Sequence, residues 1–159
     1  VTAERALVSD SPATTERFGA ALGAVLRPGD VLVLSGPLGA GKTCLVRGIV
    51  AGAGGDAAAV RSPTFVLHQP HRTATVTIHH IDLYRLGEGA ALDVLDLDNA
   101  LEEGAAVIEW GEYADLASLS PVTLSIGAGG GDDHRTMRLQ HPVPPHLGRA
   151  WRALGGEPG

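Results

Sequence analysis

A three-layer α/β fold with a central mixed, mostly parallel sheet is the architecture this sequence predicts, on three observations. Val31-Leu32-Val33-Leu34-Ser35 is apolar and largely β-branched without alternation, which is how a strand buried on both faces reads. It runs directly into the glycine-rich segment Gly36 to Thr43, and amphipathic helical spacing begins at Lys42. Comparable apolar runs recur later, with helical stretches between them. Aromatics make up only 4% of the chain, so its core must come from Val, Leu, Ile and Ala, as suits a sheet flanked by helices. At 159 residues one domain is expected over 1–140, followed by a Pro/Gly-rich tail over 141–159 that reads as flexible.

The elements follow in order. Thr14 to Leu26 carries Phe18, Ala21, Leu22 and Val25 at i, i+3, i+4, i+7, and Ser11-Pro12 suits the start of a helix there. Arg27-Pro28-Gly29-Asp30 turns the chain into the first buried strand. The next helix spans about Lys42 to Ala53, with Leu45, Val46, Ile49 and Val50 as its apolar set and Gly54-Gly55 beyond its end. Thr64 to His68 and Ala74 to Ile81 read as strands, and the gap Gln69 to Thr73 is short enough for a β-hairpin inserted after that helix. A helical, acidic stretch covers Ala90 to Glu102. Ala105 to Glu109 is a further buried strand, and Val122 to Ile126 and Thr136 to Leu139 form two more. In the tail only a short helix around Arg149 to Leu154 is expected.

Several classes are excluded early. No apolar run approaches the roughly 18 to 20 residues that span a bilayer, and the opening Val1-Thr2-Ala3-Glu4-Arg5 lacks the form of a signal peptide, so a cytoplasmic protein with no membrane contact is expected. A single cysteine, Cys44, rules out an internal disulfide framework. The net charge of -6 argues against DNA or RNA backbone binding. Eleven of the eighteen acidic residues lie between Glu88 and Asp133, and no Lys or Arg falls between Arg85 and Arg135. That region reads either as a solvated surface or as a docking face for a basic partner.

Gly36-Pro37-Leu38-Gly39-Ala40-Gly41-Lys42-Thr43 fits the pattern G-x-x-x-x-G-K-[ST], with the required strand before it and helix after it. This is a P-loop, and it predicts a P-loop NTPase. Its glycines let backbone N–H groups converge on a phosphate at a helix N-terminus, Lys42 reaches the β- and γ-phosphates of ATP, and the Thr43 hydroxyl is placed to ligate Mg2+. Lys42 is the only lysine in the chain. Cys44, next in line at the helix start, closes the phosphate-binding stretch and reads either as a favoured thiolate or, more simply, as a small buried residue. Hydrolysis also needs carboxylates, and Asp82 and Glu109 each terminate an apolar strand, where an acid falls beside the loop.

Four segments in order, Gly36 to Thr43, Ser62-Pro63-Thr64-Phe65, His80-Ile81-Asp82-Leu83-Tyr84-Arg85 and Val107-Ile108-Glu109-Trp110, resemble the signatures of the TsaE (YjeE) family over roughly Thr14 to Leu139. The resemblance implies an ATPase serving threonylcarbamoyladenosine modification of tRNA, with TsaD and TsaB as protein partners and tRNA met only through the complex. It implies a switch role near the γ-phosphate for Thr64, and catalytic and magnesium-binding roles for Asp82 and Glu109. Pro37 and Cys44 depart from the residues usual at their positions, and neither position donates a side chain that the chemistry requires.

Other features have simpler readings. His68, His71, His79 and His80 are candidates for zinc, but facing hairpin positions favour mutual pairing or exposure. Trp110 reads as packing near the site or as a partner contact, and Tyr84-Arg85 as phosphate-orienting or as surface pairs. The runner-up function is a small metabolite kinase, against which the arginine-free stretch counts because such enzymes need lid arginines. A GTPase would need a base-reading Asn-Lys-x-Asp, and no second lysine exists to supply it. A nucleotide-responsive scaffold with little turnover is the third class.

Overall fold

β2, Val31–Ser35, alternates its side chains between two apolar layers, which is why its sequence shows no polar face. Leu32 and Leu34 enter one core, and Val31 and Val33 enter the other. The computed structural model describes residues 4–37, 39–61, 67–89, 96–140 and 142–159. Around β2 the chain forms a seven-stranded sheet in the order β1-β7-β6-β2-β5-β4-β3. The other strands are β1 Leu7–Ser9, β3 His68–His71, β4 Thr77–Asp82, β5 Gly104–Glu109, β6 Val122–Ala128 and β7 Arg135–Gln140. β6, β2, β5 and β4 pair in parallel, while β7 and β3 run against their neighbours, so the sheet is mixed and five of its seven strands share one direction.

The larger core lies under α1 (Pro12–Gly23), α2 (Lys42–Gly52) and α4 (Pro145–Ala153), and includes Leu22, Leu45, Ile49, Val107, Leu124 and Trp151. The opposite face is thinner. There α3 (Leu97–Glu103) and the 3-10 turns Gly111–Tyr113 and Ala117–Leu119 cover Val33, Ile81, Ala106 and Ile108. α1 begins as its sequence predicts, with the Ser11 hydroxyl accepting from Thr14 N–H at 3.1 Å and Pro12 in the first turn.

At four glycines α1 and α2 touch through main chain. A Cβ placed on Gly23 would lie 1.9 Å from the Ile49 carbonyl oxygen, and one on Gly48 would lie 2.1 Å from that of Glu16. Gly19 and Gly52 are closed off in the same way, at 2.4 and 2.1 Å. Gly23→Ala should therefore destabilise by about 3 kcal/mol, because a methyl group there forces two backbones apart. A urea midpoint unchanged from wild type would show that the helices separate at no cost.

Two expectations need correction. The hairpin strands sit later than their sequence suggests: β3 is His68–His71 and β4 is Thr77–Asp82, leaving 72–76 as the connection. The reason is the Thr73 hydroxyl, which bonds the Val76 carbonyl and accepts from the N–H of Val76 and Thr75, making the turn there. Pro70 is then tolerated because β3 is an edge strand. Most of the expected strand from Thr64 and the first part of the helix expected from Ala90 fall outside the described residues, and α3 begins only at Leu97. The tail past His141 is not loose. α4 starts earlier than expected, buries Trp151 completely and is anchored by His146 Nε2, 2.7 Å from Asp30 Oδ2. One large indole supplies enough apolar surface to order a segment whose composition otherwise reads as flexible.

Candidate phosphate-binding site

The loop from Gly36 to Thr43 joins the C-terminal end of β2 to the first turn of α2. Gly39 and Gly41 adopt φ of +78° and +101°, a region closed to most side chains, which is why this turn needs glycine at both. Gly41 is also the N-cap of α2, so the positive end of the helix opens onto the loop. Lys42 is 94% buried, by its 6% exposure, and its ammonium donates to the Gly36 carbonyl at 2.8 Å while lying 4.7 Å from the centroid of Trp110. Pro37, Ala40 and Thr43 lie in the same turn, whereas Leu38 is outside the described residues.

β5 is parallel to β2 on one side and to β4 on the other, with Glu109 in register with Leu34 and with Asp82. The two carboxylates therefore end adjacent strands beside the P-loop strand, on the sheet face that carries α2. Both are 4% exposed. Asp82 accepts from Tyr84 N–H at 2.9 Å, and its carboxyl is held above the ordinary carboxylate range, first by burial and further by the charge of Glu109. His80 Nε2 lies 2.6 Å from Glu109 Oε2, with the ring N–H donating to the carboxylate. His80 is wholly buried, and its Nδ1 has no partner among the described residues. Thus His80, for which the sequence favoured pairing with another hairpin histidine or exposure over zinc, instead fixes the orientation of Glu109.

This donor set fits a magnesium ion. Thr43, Asp82 and Glu109 offer hard oxygen donors, and two crowded carboxylates, one of them reluctant to ionise, are relieved by a divalent cation. Thr64, with Ser62, Pro63 and Phe65, lies outside the described residues.

The remaining candidates separate clearly. Cys44 turns away from the loop, its thiol donating to the Pro12 carbonyl at 3.3 Å, and burial followed by the Glu16 charge pushes its pKa up, so no thiolate is favoured. His79 Nδ1 is 2.8 Å from His68 Nε2, so these rings tie β3 to β4. Burial lowers the pKa of both. A cavity of about 690 Å³ beside His79, lined also by Arg72, Asn99 and Glu103, opens near Thr77 and Gly104, at the end of the sheet opposite the P-loop. Among the described residues no cluster of three or more His, Cys, Asp or Glu is arranged to hold a metal. Trp110, at φ +60°, stacks on Tyr113 with ring centroids 5.4 Å apart and contacts Tyr84 at 5.1 Å. Tyr84 is 49% exposed, so the lip of the site is aromatic and open to solvent.

Sequence reasoning missed Arg135. Its Nε donates to the Ala40 carbonyl at 3.0 Å and its Nη2 to that of Gly39 at 3.3 Å. The available signal was its position as the first base after the arginine-free stretch, at the head of a predicted strand.

A family model described as "Threonylcarbamoyl adenosine biosynthesis protein TsaE" matches residues 9–137. Among curated proteins, the chain is 49% identical over 107 residues to a Mycobacterium tuberculosis protein named "tRNA threonylcarbamoyladenosine biosynthesis protein TsaE". That match covers 62% of this chain and 63% of the relative. A Streptomyces coelicolor protein of the same name is 39% identical over 138 residues, covering 84% of this chain and 91% of its own length. The crystal structure of Bacillus subtilus YdiB superposes with a TM-score of 0.70 at 22% identity, over 98% of this chain and 96% of that one, so the two share a fold.

Proposed function

Because this chain belongs to the TsaE family, we propose that it is the ATP-binding and ATP-hydrolysing subunit of the machinery that makes N6-threonylcarbamoyladenosine in tRNA, driving turnover of TsaB and TsaD. The observation that carries the reading is that Asp82 and Glu109, at the ends of adjacent strands beside the P-loop strand, lie near Lys42 at the N-terminus of α2. Here Lys42 and the loop amides hold the phosphates of ATP. Thr43 and Asp82 would hold magnesium, which when bound would supply charge neutralisation for the phosphates. Glu109, with one oxygen engaged by His80, keeps the other for orienting the attacking water or for the metal's water shell. Thr64 is assigned the switch that senses the γ-phosphate.

A small open site with a solvent-exposed rim leaves water and phosphate incompletely positioned, so the free protein should hydrolyse ATP slowly and the partners should complete the site. The exposed acids Asp96, Glu102, Glu103, Glu112 and Asp115 offer a face for docking a basic surface of that pair. The test is the ATPase rate with and without TsaB and TsaD, for wild type and for a variant carrying Asp96→Lys, Glu102→Lys and Glu112→Lys. Stimulation of wild type alone is the expected result. Equal stimulation of both proteins would remove the acidic face, and no stimulation of wild type would remove the partner-completed site.

A further inference from the structure

The geometry points to Arg135 as a positioning residue for nucleotide binding: it holds the carbonyls of the P-loop outward so that the loop's amides face the phosphates. This rests on the reading of Gly36 to Thr43 as a phosphate site. Arg135 opens β7, ninety-five residues beyond Ala40 in the chain. All four of its side-chain hydrogen bonds among the described residues go to main-chain carbonyls. Nε reaches Ala40 at 3.0 Å and Nη2 reaches Gly39 at 3.3 Å, while Nη1 reaches Asp132 at 2.7 Å and His134 at 2.8 Å. One planar group thus ties the crest of the P-loop to the β6–β7 connection.

A trans peptide sets its C=O and N–H in opposite directions. With the Ala40 carbonyl drawn onto Arg135, the N–H of Gly41 must point the other way, away from the guanidinium and toward the mouth of α2. The Gly39 carbonyl is held likewise, and the N–H of the same peptide, on Ala40, is spent on the Pro37 carbonyl at 3.1 Å. Lys42 takes the Gly36 carbonyl. Among the described residues, the carbonyls of Gly36, Pro37, Gly39 and Ala40 are therefore each engaged by a donor, and the donor from outside the loop is Arg135. Its fixed charge also sits behind the loop without a carboxylate partner among the described residues, and so favours an anion in front. A lysine cannot do this work, because a single ammonium lacks the forked edge that reaches two successive carbonyls and a second loop at once.

The experiment measures the affinity of the full chain for ATP with magnesium by calorimetry, for wild type, Arg135→Ala, Arg135→Lys and Lys42→Ala. Thermal midpoints and hydrogen exchange of residues 36–43 are followed without nucleotide. Arg135→Ala should bind about 10- to 100-fold more weakly, as expected for losing charge-assisted bonds. Arg135→Lys should recover little of that loss. In both variants exchange of the loop should rise while that of β6 and β7 stays at the wild-type level. Affinity within about twofold of wild type, or unchanged loop exchange, in Arg135→Lys overturns the proposal even if Arg135→Ala folds poorly. If Lys42→Ala also binds as wild type does, or wild type itself binds no nucleotide, the phosphate-site reading falls and Arg135 falls with it; a loss in Lys42→Ala alone removes only the clamp.

Discussion

Lys42→Ala should reduce ATP affinity on the order of 100-fold and abolish hydrolysis while the fold survives. The ammonium is buried against the Gly36 carbonyl and the face of Trp110, and it is the one lysine that the chain possesses. On the proposed reading, removing it would delete the positive charge that meets the phosphates and would free the Gly36 carbonyl, so attraction would be lost and repulsion added together. The fold should tolerate the change because Leu45, Val46, Ile49 and Val50, rather than Lys42, seat α2 on the sheet. Calorimetric titration with ATP and magnesium, alongside a circular dichroism melt, checks both halves. Wild-type affinity in a folded variant would dismiss the P-loop assignment.

The second large effect belongs to the carboxylates. Glu109→Gln and Asp82→Asn should each slow hydrolysis in the assembled complex by about 100-fold or more while ATP binding falls far less than in Lys42→Ala, since their proposed work is on water and magnesium rather than on the phosphates directly. Asp82→Asn carries an additional signature in the free protein. Burial and the Glu109 charge raise the Asp82 pKa, so ionising the group opposes folding, and stability falls as pH climbs from the ordinary carboxylate range through the raised value. The amide removes that penalty, so the variant should be at least as stable as wild type above that window. Single-turnover phosphate release separates chemistry from binding, and wild-type rates in both variants would place the catalytic acids elsewhere.

What the sequence announced and what it concealed follow physical range. Gly36 to Thr43 could be read because loop, strand and helix are contiguous, and because φ above zero at Gly39 and Gly41 demands glycine. Asp82 and Glu109 were legible as acids ending apolar runs, although only the parallel register of β4 and β5 places them side by side. Arg135 was not legible, since nothing periodic connects a strand's first residue to a loop so far upstream. Nor was the pairing of His80 with Glu109, which depends on two strands lying in adjacent register. The hairpin was misplaced because the apolar run at Thr64 outweighed the turn chemistry of Thr73. The tail was underestimated because proline and glycine counts hide the weight of a single buried tryptophan.

The glycine contact between α1 and α2 has a mechanical consequence. Two helices separated by side chains can shear, because rotamers between them readjust at small cost. Here, at Gly19, Gly23, Gly48 and Gly52, carbonyl oxygens of each helix lie against Cα positions of the other, with no side chain at those four positions to absorb a displacement. α1 and α2 must then travel as one rigid lever. Any tilt of α2 when its N-terminus closes on an anion is transmitted without slack to α1, and from the far side of α1 to α4 and Trp151, so that a small motion at the loop is delivered at a surface remote from it.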